Sequence, residues 1–226
     1  MPPAATPVKV DRRVRKTRAS LHGAMLTLLE DHSYAEITVE QLIGKADISR
    51  ATFYAHFSDK DDLFLHVADA LITTMIERAI AVASIDVPLA GGAAVYETFR
   101  HAETFRPFYL AMFRGAAKGA ALQHFRESMV AASGRVTLAT AAAVGVETRL
   151  PVDVISRAWV GEHLELMQWW LESSPGISAA ELARMRMHLM TDGPLWAQGL
   201  DPGQITFDSD NFDRVVADWT PPPGVG

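Results

Sequence analysis

Cysteine is absent from the 226 residues. That excludes a disulfide framework, a thiolate metal site and a cysteine nucleophile, and it fits a reducing compartment. Long apolar runs are missing as well, none approaching the roughly twenty residues that a membrane span requires. The charged start MPPAATPVKVDRRVRKTR has no apolar segment behind it, so it does not read as a secretory leader. A cytoplasmic protein with no membrane partner is expected. No strand alternation and no internal repeat is visible. There is no Gly-rich phosphate loop, no HExxH and no GxSxG. Of the eight histidines, His101, His124, His163 and His188 show no ligand spacing with one another. The chain is therefore expected to be no enzyme and to need no metal or other cofactor.

What is present is helix. Apolar residues make up 49% and charged residues 21% of the chain, which suits a folded soluble protein. Helical periodicity recurs from one end to the other, predicting an all-α fold of about nine helices. Net charge is −6, but it is unevenly spread. Residues 1–60 carry nine Lys/Arg against seven acids, leaving twelve bases against twenty acids for the rest. Opposite signs in the two parts suggest a nucleic-acid-facing region attached to one that faces something else. Six of the nine bases lie between Lys9 and Arg18. A solvated basic helix start explains them equally well when they are taken alone.

The stretch TVEQLIGKADISRATFYAHFSDK, Thr38 to Lys60, is the most specific in the chain. Val39, Leu42 and Ile43 form the stripe of a short helix, with Thr38 and Gln41 in a capping-box pattern. Ala46-Asp47-Ile48-Ser49 interrupts it; Asp tolerates a left-handed turn and Ser49 is a good N-cap. A second helix is expected over Arg50 to Phe57, with Phe53 and Phe57 inward and Arg50, Thr52, Tyr54 and His56 outward. Two short helices around a tight turn make a helix-turn-helix, whose second helix can enter a DNA major groove. Spacing alone leaves a pair of ordinary core helices as an equal reading.

The segment ITVEQLIGKADISRATFYAHFSDKDDLF, and its TFYxHFxxKxxL run above all, resembles the DNA-binding region of the tetracycline-repressor-like (TetR/AcrR) family of bacterial regulators. The resemblance covers roughly the first third of the chain. It implies that Ser49, Arg50, Ala51, Thr52, Tyr54, His56 and Lys60 form the DNA-binding surface, with Ser49 as cap and Lys60 reaching phosphate. Two positions depart from the family pattern. Asp47 stands in the turn where glycine is usual, and Ala55 replaces a larger polar residue between Tyr54 and His56.

Long helices follow: one from Lys60 to about Ala83, then others near Ala93–Thr104, Pro107–Arg114, Ala121–Val144, Pro151–Glu172 and Ser178–Trp196. The eighth, with Ile155, Trp159, Leu166 and Trp170, is apolar on more than one face, and Gly161 permits close backbone approach. That pattern predicts contact with a second copy. The resemblance implies the same, a dimer through the last two long helices, for which Trp159, Gly161, Trp170, Leu182, Met185 and Leu189 are the candidates. Aromatic walls with a few polar groups suit a small-molecule site. His101, Phe105, Tyr109 and Phe113, with Glu162, His163 and Met167, are its candidates, and Met75 and Tyr96 are weaker ones. All of these could instead be ordinary core.

The expected organisation is a tail and helix-turn-helix domain over 1–59, a ligand-binding and dimerisation domain over 60–200, and an acidic, Pro-rich tail over 201–226. The expected function is a ligand-responsive transcriptional regulator, a homodimeric repressor released from a palindromic double-stranded operator by a small-molecule effector. The alternative is a helical ligand-binding or scaffold protein without regulatory DNA binding.

Overall fold

A computed structural model describes residues 12–83, 92–191 and 193. Lys9, the Pro88–Gly91 break, the end of the ninth helix toward Trp196 and the tail from residue 201 lie outside the described residues. The chain divides into two compact units, Met1–Ala183 and Arg184–Gly226. Among the described residues all regular structure is helical: α1 Arg12–Asp31, α2 Val39–Ala46, α3 Arg50–Tyr54, α4 Lys60–Ala83, α5 Gly92–Thr104, α6 Arg106–Phe113, α7 Ala120–Val144, α8 Val152–Ser173 and α9 Ala179–Thr191. No described helix is long and apolar enough to cross a membrane.

The first unit is organised on one continuous apolar core. Leu21, Met25 and Leu29 of α1, Leu42 of α2, Phe53 and Phe57 are buried with Leu63, Phe64 and Val67 of α4. The same core continues through Met75, Phe99, Phe108, Tyr109 and Met112 to Leu164 and Met167 of α8. α4 is the shared wall, packing on α1 at one end and on α5 and α7 further along. Ile80, near the end of α4, is exposed.

Local chemistry sets the short elements. The Thr38 hydroxyl accepts from the Gln41 N–H at 3.2 Å while the Gln41 side chain accepts the Thr38 N–H at 2.8 Å, a complete capping box. α2 closes on Asp47, left-handed at φ 51°, ψ 54°. The Asp47 N–H reaches Gly44 O and the Ile48 N–H reaches Ile43 O, the bond pair of a Schellman closure. α3 is only five residues long and stops at Tyr54 rather than Phe57. The N–H groups of His56 and Phe57 both turn back to Phe53 O. A helix this short has no stability of its own. Phe53 and Phe57, fully buried, hold it at roughly 1.5–3 kcal/mol each.

The α6–α7 connection falls between the two expected helices and is left-handed for most of its length. Gly115, Ala117, Lys118 and Gly119 all carry positive φ, a left-handed run where Ala and Lys would continue a helix. Pro107 stands in the first turn of α6 as expected. Arg106 beside it donates to Leu171 O and Ser174 Oγ, tying α6 to the end of α8.

Candidate nucleic-acid interface and effector core

α3 presents a polar face because its apolar residues are spent inward. Ser49, in extended conformation at φ −78°, ψ 155°, accepts the Thr52 N–H at 3.1 Å and starts the helix. Its hydroxyl also shares a 2.8 Å hydrogen bond with Thr52 Oγ1, so the half-buried Thr52 belongs partly to the cap. Arg50, Ala51, Tyr54 and Ala55 are exposed, and His56 is half-buried beside Phe57.

Arg50 lies 3.0 Å from Glu40 of α2 and its guanidinium stands 5.9 Å from the centre of the Tyr54 ring. Both partners of the ion pair are well exposed, at 64% and 59%. Such an exposed pair is screened by solvent and adds little, so Arg50 can trade Glu40 for an acceptor on a docked ligand. Exposed Arg12, Arg13, Arg15, Lys16 and Arg18 add positive charge at the start of α1. Arg18 sits 5.9 Å over the Phe57 ring, which sets this basic turn beside the end of the helix-turn-helix.

Lys60 is placed differently from the other expected contacts. Its ammonium donates to Tyr34 O and Ile37 O, each at 2.7 Å, and lies 4.4 Å from the Tyr34 ring centre. Partial burial pulls its pKa down.

The effector candidates separate into two sets. Met75, His101, Tyr109, Phe113, His163 and Met167 are buried together in the core. His101 Nδ1 and Tyr109 Oη are 3.0 Å apart, and Tyr109 Oη also donates to Met75 Sδ at 3.5 Å. His101 Nε2 is buried without a hydrogen-bond partner among the described residues. Burial, helped by Arg78, pushes the His101 pKa down to about 4, and burial pushes that of Tyr109 up. His163 Nε2 lies 3.0 Å from Thr98 Oγ1, with its ring against Phe99. Phe105 and Glu162 are half-buried. Tyr96 is 40% exposed.

A cleft of about 650 Å³ opens elsewhere, between Leu29–Ala35 and the α6 stretch from Arg106 to Ala116. None of the effector candidates lines it. Composition offered no signal for it, because its walls are brought together only by the packing of α1 on α6.

The dimer candidates also separate. Trp159 is exposed at 38%, whereas Trp170 is buried and donates Nε1–H to Ile177 O at 2.7 Å. Leu182 is buried, Leu189 half-buried and Met185 exposed. A methyl group added at half-buried Gly161 would meet open space. Trp169, which periodicity did not single out, is exposed, as is Val154.

Comparison with known proteins places this geometry in a wider group. Residues 23–67 match the family described as bacterial regulatory proteins, tetR family. Over 74 residues the chain is 40% identical to an uncharacterised HTH-type transcriptional regulator of Bacillus subtilis, covering 32% of this chain and 17% of that protein. It is 29% identical over 87 residues to a similarly described regulator of Mycobacterium tuberculosis, covering 38% of this chain and 39% of the relative. The matched stretch thus spans well under half of either relative. Among solved structures, a TetR-family transcriptional regulator from Pectobacterium atrosepticum superposes with TM-score 0.64 at 21% identity, covering 86% of this chain and 98% of the other. The FadR transcriptional regulator of Bacillus subtilis, in complex with stearoyl-CoA, gives TM-score 0.66 at 11% identity over 77% and 98%. At these identities the two superpositions establish the shared fold.

Proposed function

We propose that this chain, whose residues 23–67 match the tetR family of bacterial regulatory proteins, is a transcriptional regulator, and specifically a homodimeric repressor released from a palindromic operator by a small molecule. The observation that carries the DNA part is the outer face of α3. Arg50 and Tyr54 project from a helix whose start is fixed by the Ser49 cap and whose inner face is fixed by Phe53. A helix so presented enters a major groove. Arg50 is the donor suited to a guanine edge, while Ser49, Thr52, Tyr54 and His56 suit backbone positioning. The methyls of Ala51 and Ala55 can meet thymine. The basic start of α1 reaches flanking phosphate or the minor groove.

Val154, Trp159 and Trp169, three large apolar side chains exposed along α8, support self-association, since exposed apolar surface is what a partner copy would cover. Two copies related by a two-fold axis read half-sites one helical turn, or somewhat more, apart. The effector reading rests on His101, Tyr109 and Met75 in a core shared by α4, α5 and α6, and on the stearoyl-CoA held by a protein of the same fold. A ligand reaching that core acts on DNA affinity only through its different affinity for the two arrangements of the reading helices.

The experiment is a mobility-shift titration with duplex DNA selected by the wild-type protein from a random library. Tyr54→Ala leaves the fold intact, because the ring is half exposed. It is expected to weaken binding by about tenfold or more, on the order of 1.4 kcal/mol. Undiminished affinity in that variant counts against α3 as the reading helix. Wild-type binding is also expected to fall steeply with salt, as phosphate-led docking requires.

A further inference from the structure

Three side chains at the junction of α1, α2 and α4 form a knot that the outer face of α3 does not explain. The Lys60 ammonium is committed to two main-chain carbonyls, Tyr34 O and Ile37 O, each at 2.7 Å, and is covered on another side by the Tyr34 ring at 4.4 Å. The Tyr34 hydroxyl in turn donates to Asp61, the next residue of α4. The first two residues of α4 therefore hold the α1–α2 connection twice, once by its backbone and once by its side chain. An ammonium has three donor protons, and two are already directed at carbonyls at close to ideal distance.

The surroundings argue against a phosphate ligand. Asp59, Asp61 and Asp62 flank Lys60 within two residues. Asp59 and Asp62 are engaged in starting α4, with the Asp62 N–H on Asp59 Oδ1 and the Ser58 N–H on Asp62 Oδ2, both at 2.8 Å. They remain carboxylates that oppose an approaching anion. Turning Lys60 outward would also strand two carbonyls, of which Ile37 belongs to a fully buried residue. Ile37 immediately precedes Thr38, the cap of α2. The position of the Lys60 ammonium thus decides where α2 starts, and α2 carries α3 through the three-residue turn Asp47–Ser49.

The knot also faces the rest of the protein. Tyr34 stands edge-on to Phe64 at 4.8 Å, and Phe64 stacks on Phe108 of α6 at 4.5 Å and 17°. The backbone N–H of Ala117, in the left-handed turn after α6, lies at the Tyr34 hydroxyl. Tyr34 is therefore where the α1–α2 connection, the start of α4 and the α6–α7 turn meet.

We propose that Lys60 is a positioning residue which, with Tyr34 and Asp61, sets the placement of α2 and α3 from the first turn of α4, and that it is not a phosphate-binding residue. This rests on α3 being the DNA-reading helix. A change in the α6–α7 turn or in the tilt of α4 then reaches the reading helix through Tyr34.

Lys60→Gln and Tyr34→Phe test it, with the Kd for the selected duplex measured at several salt concentrations well below each variant's melting temperature. Lys60→Gln is expected to weaken binding by about tenfold while the slope of log K against log salt stays that of the wild type. A lost phosphate contact reduces that slope by about 0.9, and that result overturns the proposal. Tyr34→Phe keeps the ring under the ammonium but removes the bond to Asp61. It is expected to weaken binding about threefold, again at unchanged slope, and it remains informative should Lys60→Gln fail to fold. Wild-type affinity in Tyr34→Phe, or in folded Lys60→Gln, also overturns the proposal, since a knot that only adds stability leaves the affinity of folded protein untouched. Failure of the wild type to select any duplex, or a flat salt dependence for it, instead removes the DNA reading on which the proposal rests.

Discussion

The helix-turn-helix proposed to face DNA and the buried core proposed for an effector are built from bonds of different reach. In α2 and α3 the polar contacts that fix the backbone span three residues, Thr38 to Gln41 and Ser49 to Thr52. In the core they span 8, 34 and 65, from His101 to Tyr109, Met75 to Tyr109 and Thr98 to His163. The first region is specified by neighbours in sequence and presents its polar groups to solvent. The second is specified by packing and hides them. A helix pair made this way keeps its own geometry while its placement is decided from outside, by Lys60 and the buried phenylalanines beneath it. A core made the other way responds as a whole to anything that enters it.

The sharpest test of that contrast is core truncation. Phe108 is fully buried and stacked on Phe64. Phe108→Ala is expected to cost about 3–5 kcal/mol, from lost burial and the cavity left behind, measured as a shift in urea midpoint. Because Phe64 also carries Tyr34, the loss should come with weaker DNA binding by the folded fraction. A cost below about 1 kcal/mol would mean that α6 is loosely docked and that the two regions differ less than the bond pattern implies.

Titration separates the regions next. His101 is held neutral, its pKa lowered to about 4 first by burial and then by Arg78 and Arg100, with Glu97 opposing. Because the folded value lies below that of the unfolded chain, near 6.5, the unfolded state takes up the proton first. The contribution is complete above about pH 6.5 and is lost as pH falls toward 4, on the order of 3 kcal/mol in total. His101→Asn, which retains a polar group toward Tyr109, should flatten this part of the stability curve. His22, also lowered by burial, titrates equally in both proteins, so the difference between wild type and variant isolates His101. Coincident pH profiles for the two would place the imidazole in contact with solvent.

The same contrast explains how much was legible in the sequence. The helix-turn-helix was readable because its signals are local: a cap, a capping box and an apolar pair four apart. The helix count followed from periodicity. What was not readable depends on partners distant in sequence. Trp169 and Trp170 are adjacent and equally apolar, yet Trp170 turns inward, edge-on to Phe99 at 6.0 Å and with its Nε1–H on Ile177 O, while Trp169 is exposed. Lys60 looked like a phosphate ligand because its two carbonyl partners lie 23 and 26 residues away. Ala117 and Lys118 are helix formers by propensity, yet both are left-handed. Their flanking glycines, Gly115 and Gly119, were the only local hint.

The smallest effect tests the local side of the comparison at its least typical residue. Asp47 closes α2 in the left-handed region, and the closing bonds are all main-chain: its own N–H to Gly44 O and the Ile48 N–H to Ile43 O. Its side chain is exposed. Glycine reaches the same φ without the Cβ penalty but gains freedom in the unfolded chain, and the two effects oppose each other. Asp is among the residues that pay least in this conformation. Asp47→Gly should therefore stabilise only slightly, by roughly 0.5 kcal/mol, raising Tm by about 1–2 °C, with DNA affinity unchanged. Asp47→Ala should lower Tm, because alanine has the Cβ without a side chain able to bond locally. If glycine lowers Tm as well, the carboxylate itself is holding the turn, and the backbone bonds alone do not set the angle between α2 and α3.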